Sequence, residues 1–202
     1  MSNDTHDIKD YSLWLKEVLP SDGQSDRIME YLLDTQFFDS PASTNAHSVF
    51  DGGLVQHTLL VAEVATTLQR TKGLVLPDTL KHEQVIQVAL LHEIGNAMAF
   101  NKTVKNVPST VRYADGSANT TWTTVDAYEY KNPFPTGSGT ASIWILTNEL
   151  DIKIPWPVAS AIRWIHDPSW KSRDARAQNS LVGYMQSVHM LCETTLETYG
   201  TG

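Results

Sequence analysis

The chain has 202 residues, a length that suits one domain rather than two when a domain averages about 150 residues. Apolar residues make up 41% and charged residues 19%, which is typical of a folded protein rather than a disordered one. The net charge of −8 argues against binding duplex nucleic acid by neutralising its phosphates. No apolar run is long enough to span a membrane, and the first ten residues do not resemble an export signal. We therefore expect a cytoplasmic protein that does not associate with membranes.

The first part of the chain is predicted to be helical. The spacing of its apolar residues indicates two short helices within residues 1–36, separated at Pro20. Ser25 is expected to cap the second of them. A polar loop rich in turn-forming residues follows over residues 37–53, and a longer helix is predicted for residues 54–70.

Two histidines are expected to face the core from separate helices. His57 lies one turn before Val61 on the apolar face of the helix 54–70. A second strong helix is predicted from about residue 80 to residue 100, and there His92 continues the apolar face that includes Val88.

The second half of the chain combines a small hairpin with further helices. Residues 101–135 lose helical periodicity, and two strand-like segments flank a turn at 115–116, which predicts a β-hairpin insertion. Helices are predicted to resume at about 140–150, 157–166 and 175–199. The fold class is therefore mainly all-α.

His57, His92 and Glu93 form the one convincing ligand-type group in the sequence. The single cysteine, Cys192, excludes an intramolecular disulfide and a cysteine-based metal site. Imidazole and carboxylate ligands suit a divalent cation such as zinc, manganese or iron. The alternative is that each histidine is a separate core residue that bonds a backbone carbonyl.

Several ordered motifs give the chain a resemblance to a known superfamily. Residues 41–61 read PASTNAHSVFDGGLVQHTLLV, and residues 89–96 read ALLHEIGN. These motifs resemble the HD-domain superfamily of metal-dependent phosphohydrolases, especially the small forms found in phages and prophages. The resemblance covers about residues 40–195, with further similar segments at 100–107, 122–134, 135–142 and 161–166. It implies a single HD-type helical bundle over residues 1–202, with N-terminal helices in 1–36 and the hairpin as part of the family pattern.

The chain departs from the family pattern at the expected metal site. The resemblance implies a site built from His57, the pair His92-Glu93, and an aspartate on the last long helix. Glu93 replaces the aspartate of the family's His-Asp pair. Gln186 aligns with the aspartate of the last helix, and its neutral amide is a poor cation ligand.

Three further departures concern the rest of the expected active site. Asn96 stands where the family has a lysine, and residues 137–140 read Gly-Ser-Gly-Thr where the family tends to have Gly-His-Gly-Glu. The next family histidine is found one residue late, as His166.

These changes predict a weakened metal site. His57, His92 and Glu93 are expected to hold a divalent metal (Mn, Fe, Zn or Mg) weakly, or to have lost it. If the last helix has a shifted register, His189 could supply the missing ligand, and His166 is a second candidate.

Basic residues in the matching segments are candidates for binding phosphate. They are Lys102, Lys105 and Arg163, together with His166. The alternative is that the lysines and the arginine are ordinary solvated surface charges.

Three functions stay open at this stage. The first is a protein that binds a nucleotide or other phosphate-containing ligand in a sequestering or regulatory role, with hydrolysis lost or much reduced. The second is an active, divergent metal-dependent phosphohydrolase in which His92 and Glu93 are catalytic. The third is a protein-interaction scaffold. We favour the first, because the departures cluster at the catalytic positions. Homo-oligomerisation is left open, and the resemblance places the protein in a bacterial or phage-infected cytoplasm.

Overall fold

A computed structural model of the chain describes residues 4–44, 48–113, 116–167 and 179–196. Its first half contains α1 (Asp4–Val18), α2 (Gln24–Asp34), α3 (Gly53–Arg70), α4 (His82–Leu91) and a 3₁₀ turn at Ile94–Asn96. The strands β1 (Phe100–Arg112) and β2 (Ala118–Tyr130) follow. The second half contains α5 (Ser138–Trp144), α6 (Trp156–Trp164) and α7 (Ser180–Leu191), with π-helical turns at Ile145–Glu149 and Cys192–Leu196. The prediction of a mainly helical fold with a small β-hairpin is confirmed.

The core is built around α4, which contacts α1, α3, α6 and α7. The predicted inward faces are confirmed, because Val61 of α3 and Val88 of α4 are fully buried. The hydroxyl of Tyr11 donates a hydrogen bond to the carbonyl oxygen of Leu90, which ties α1 to the end of α4. Burial of these apolar faces is the main source of the fold's stability. Within the described ranges, no helix is both long and apolar enough to cross a membrane.

The helix predicted for residues 80–100 is shorter than expected. α4 ends at Leu91, because the carbonyl oxygen of His92 accepts a hydrogen bond from the hydroxyl of Ser142 at 2.8 Å. The same hydroxyl accepts a hydrogen bond from the backbone N–H of Gly95 at 2.8 Å. These bonds replace helical ones, and the chain leaves α4 through the 3₁₀ turn.

Other predicted boundaries also need correction. Ser25 is buried inside α2, and the N-cap residue is Gly23, whose φ of 85° favours glycine. α6 begins at Trp156, one residue before the predicted start at Pro157. Of the last predicted helix, residues 175–178 and 197–199 lie outside the described residues.

The hairpin is much longer than the short strands flanking 115–116 suggested. β1 and β2 pair antiparallel from Phe100↔Tyr130 to Arg112↔Ala118. Most side chains of both strands are exposed on both faces of this two-stranded sheet. Because neither face is buried, the strands need no alternation of apolar and polar residues. That alternation is the pattern by which half-buried strands are predicted from a sequence.

Close packing of α5 against α6 gives a stability prediction. A methyl group at Gly139 would lie 2.4 Å from the carbonyl oxygen of Ile162. We expect Gly139→Ala to lower the free energy of unfolding by about 1–3 kcal/mol, because the helices must separate. Gly137→Ala is the control, since no atom lies within 4 Å of a methyl group there. Chemical denaturation of both variants checks this, and equal stabilities would contradict the packing.

Candidate metal centre

Three buried histidines from different helices converge on one point. They are His57 of α3, His92 at the end of α4 and His189 of α7. The Nε2 atom of His57 lies 3.3 Å from Nε2 of His92 and 3.2 Å from Nε2 of His189. The prediction that His57 and His92 approach each other in the core is confirmed.

Glu93 adds a carboxylate to the same cluster. Its Oε1 atom lies 3.5 Å from Nε2 of His92 and 4.0 Å from Nε2 of His57. His57, His92, Glu93 and His189 each offer one ligand atom, and these four atoms lie within 4.8 Å of one another. All four residues are buried.

The distances from Nε2 of His57 to the other two histidine nitrogens fit a tetrahedral cation. Bonds of about 2.0–2.1 Å from zinc to nitrogen place neighbouring ligand atoms of a tetrahedron about 3.3–3.4 Å apart. The distances of 3.2 and 3.3 Å between the nitrogens of His57 and those of His189 and His92 match this value. The residues present therefore fit a divalent metal ion.

The protonation state of His92 suits a metal ligand. Its Nδ1 atom donates a hydrogen bond to the carbonyl oxygen of Ala89 at 2.7 Å, so the lone pair of Nε2 faces the cluster. Burial in the core lowers the pKa of His92 to about 3. The imidazole is therefore neutral near pH 7, which is the form that binds cations.

Glu93 is held in place by a chain of polar side chains. The amide of Asn96 donates a hydrogen bond to Oε2 of Glu93, and Asn96 Oδ1 accepts one from the hydroxyl of Tyr130 at 3.1 Å. Burial alone would raise the pKa of Glu93, but His166, His92 and His57 together with Asn96 lower it. Oε1 of Glu93 is thus available to a cation, while Oε2 is held by the hydrogen bond from Asn96.

His189 has a carboxylate behind its imidazole ring. Its Nδ1 atom lies 3.4 Å from Oε2 of Glu193, one turn further along the chain. A carboxylate in this position orients a metal-binding histidine. His166 lies beside the pair, and it forms with His189 and Glu193 a second group able to contribute metal ligands.

His166 faces the cluster from the end of α6. Its Nε2 atom is buried 3.2 Å from Oε1 of Glu93, yet it makes no hydrogen bond of good geometry within the described ranges. Such a buried ring nitrogen is typical of a site completed by a ligand, an ion or water.

Gln186 lies outside the cluster. Its amide donates hydrogen bonds to the carbonyl oxygens of Trp164 at 2.7 Å and Asp167 at 2.5 Å. Gln186 is therefore not part of the cluster, whereas His189 is. The signal that pointed to His189 was its position one turn after Gln186, whereas Glu193 was missed in the sequence analysis.

An open cavity of about 360 Å³ reaches the cluster from the surface. Its lining includes Glu93, Asn96, Tyr130, His166 and Glu193. The other residues that line it are Ala42, Ser43, Thr44, Phe100 and Ser138. His47, from the same loop as Ser43, lies outside the described residues. A small polar ligand can therefore approach Glu93 and His166 between the hairpin and the end of α6.

The structure does not bring the three predicted phosphate-binding cations to the described lining of this cavity. Lys102 binds Asp51 at 2.8 Å and lines a neighbouring cavity. Lys105 is exposed on β1. Arg163 pairs with Asp167 at 3.3 Å and stacks on the neighbouring ring of Trp164.

The hydrogen bond to Glu93 predicts a role for Asn96 in positioning. We expect Asn96→Ala to weaken metal binding about 10–100-fold, since partners that orient a ligand contribute on this scale. Asn101→Ala is the control, because Asn101 is exposed on β1. Titration of the metal-free variants with zinc measures the effect, and wild-type affinity in Asn96→Ala would contradict it.

Comparison with known proteins returns no relative. The chain matches no family model, and no curated protein or solved structure shows a significant similarity to it.

Proposed function

We propose that this protein is an HD-type, metal-dependent phosphohydrolase that acts on a nucleotide or another phosphoester. The convergence of His57, His92, His189 and Glu93 at the end of an open cavity carries the proposal. Three histidines and one carboxylate are ligands that zinc, manganese and iron accept. The phosphoester substrate and the HD assignment rest on the sequence motifs of residues 41–61 and 89–96.

The position of His189 changes the order of the functional hypotheses. Loss of hydrolysis is favoured by the sequence because its departures from the family pattern cluster at the expected catalytic positions, and the neutral Gln186 is one of them. His189 offers the cluster a further ligand atom that this prediction did not count on, with Glu193 behind it. The active enzyme is thus the hypothesis that the geometry supports best.

Electrostatics also favour a cation in the site. Glu93 and Glu193 both line the cavity, whereas Lys102, Lys105 and Arg163 do not belong to its described lining. A phosphate entering a metal-free cavity would be repelled by two carboxylates. Binding of phosphate here is therefore expected to depend on a cation.

The residues of the site have separable roles in this proposal. His57, His92, His189 and Glu93 would hold the cation, Asn96 fixes the carboxylate of Glu93, and His166 lies at the cavity wall. When bound, the cation would polarise a phosphoryl oxygen and make water acidic enough to attack phosphorus near neutral pH. Ser138 lines the cavity and offers a hydroxyl group that can orient a phosphate oxygen.

The experiment is a turnover assay of the purified protein loaded separately with Mn²⁺, Fe²⁺, Zn²⁺ or Mg²⁺. Substrates are bis-p-nitrophenyl phosphate and a panel of linear and cyclic nucleotides, with a chelator-treated sample and His92→Ala as controls. We expect metal-dependent release of product, at about 1 per second for a good substrate, and none in either control.

Two other results would replace the proposal. Metal-dependent binding of a nucleotide that is recovered intact would identify a sequestering protein. Failure to bind both metals and nucleotides would favour an interaction scaffold.

A further inference from the structure

The helices α1 and α2 form an open groove on the surface of the molecule. Its volume is about 760 Å³, and side chains of both helices line it. The helices are joined by residues 19–23, a connection so short that they lie side by side in opposite directions. Lys16 and Asp26 also line a smaller cavity beside this connection. These two residues therefore lie at one end of the groove, and Lys9 and Asp34 lie at the other end.

Apolar side chains form the centre of the groove. Ile8 and Met29 lie in its lining and pack against the core. Leu13 and Leu33 lie in the same lining, but they are 55% and 56% exposed. An apolar surface that is bordered by polar residues marks an interaction site in a protein of this kind. Covering the two leucines would remove apolar area from water.

The two walls of the groove carry opposite charges. α1 contributes Lys9 and Lys16, which are two turns apart, and α2 contributes Asp26, Glu30 and Asp34 at intervals of one turn. All five residues are exposed. Neither lysine forms an ion pair with any residue that the structure describes. Both walls are therefore available to the charges of a partner.

We propose that this groove is the interface of a symmetric dimer, in which the face formed by α1 and α2 packs on the same face of a second copy of this chain. A two-fold axis along the groove places α1 of each copy against α2 of the other. The exposed leucines of both copies then meet at the centre. This inference is independent of the proposed enzymatic function.

Charge complementarity supports a second copy as the partner. A two-fold axis along the groove keeps the two ends of the groove in place, so Lys16 of one copy faces Asp26 of the other. Lys9 likewise faces Asp34, and each pair is formed twice. A partner of one sign of charge would be attracted by one wall and repelled by the other. A second copy supplies both signs in the matching order.

The apolar centre of the interface is tested with a matched pair of leucine variants. Leu13→Asp alters the groove, whereas Leu74→Asp alters a leucine that is 45% exposed in the connection between α3 and α4. Sedimentation velocity of the full chain, at concentrations up to about 100 μM, measures the dimer. We expect the wild type and Leu74→Asp to dimerise alike, and Leu13→Asp to dimerise at least about tenfold more weakly, because symmetry places two new carboxylates in the interface.

Two results of this comparison would overturn the proposal. One is a wild type that stays monomeric throughout the concentration range. The other is an equal effect of the two leucine substitutions, because the groove would then have no special part in association.

The charged walls are tested by reversing one wall in each of two variants. One variant carries Lys9→Glu and Lys16→Glu, and the other carries Asp26→Lys and Asp34→Lys. We expect each variant alone to dimerise at least about tenfold more weakly than the wild type, because like charges face each other across the interface. An equimolar mixture is expected to form dimers with one chain of each kind, since opposite charges face each other again.

The mixing step separates an interface from a general effect on folding. Restored association in the mixture cannot come from damage to either chain, whereas a mixture that stays monomeric overturns the proposal. Metal content, measured on the same samples, is expected to stay at the wild-type value, so failure of the metal site and failure of the dimer are distinguished.

Discussion

Replacing His92 by alanine is expected to lower the affinity of the protein for divalent metal by more than about a hundredfold and to abolish turnover. The substitution removes a nitrogen whose lone pair is already directed at the cluster by the hydrogen bond to Ala89. His57→Ala is expected to have the same effect, because Nε2 of His57 lies 3.2 Å and 3.3 Å from the other two histidine nitrogens. Metal content after dialysis, by mass spectrometry, checks both variants.

His82→Ala is the control for these substitutions. His82 belongs to α4, like the residues that lead into the site, but it bonds Gln69 at 2.8 Å away from the cluster. We expect it to keep the wild-type metal content. Retention of metal by His92→Ala would contradict the site, and loss of metal in all three variants would point to a general effect on folding.

His189→Ala is expected to cause a loss of metal and turnover as large as that of His92→Ala, whereas Gln186→Ala leaves metal binding unchanged. The two residues are three positions apart on α7, but only His189 is directed into the cluster. Gln186 instead bonds the carbonyl oxygens of Trp164 and Asp167. Its removal therefore costs stability at the end of α6 and no metal ligand.

Zinc titration of the two α7 variants, alongside their thermal unfolding, checks this prediction. The opposite result, with metal lost in Gln186→Ala and kept in His189→Ala, would restore the alignment based on the sequence. It would also return the sequestering protein to first place among the hypotheses.

Much of the helical framework could be predicted from periodicity. The apolar faces of α3 and α4 repeat at helical spacing, and both include the histidine that the structure buries. The end of α4 could not be predicted, because the hydroxyl that replaces its helical bonds comes from Ser142, fifty residues later in the chain. The length of the hairpin was also hidden, since neither of its faces is covered.

The candidate metal site was predictable in part. His57, His92 and Glu93 follow from their positions on or beside inward faces. Residues three apart occupy neighbouring places on a helix surface, so the rotation of α7 decides between Gln186 and His189. That rotation depends on how α7 packs against α3, α4 and α6, which is a tertiary property. The spacing of His189 and Glu193 by one turn is a local signal that could have favoured His189.

The proposed function requires that His57, His92, His189 and Glu93 bind one divalent cation. The most direct test is a crystal structure of the zinc-loaded protein, with anomalous diffraction data collected at the zinc absorption edge. We predict one strong anomalous peak within about 2.3 Å of Nε2 of each of the three histidines, with an oxygen of Glu93 as the fourth protein ligand. A cluster with no peak, or a peak bound only by surface residues, would contradict metal binding by these four residues.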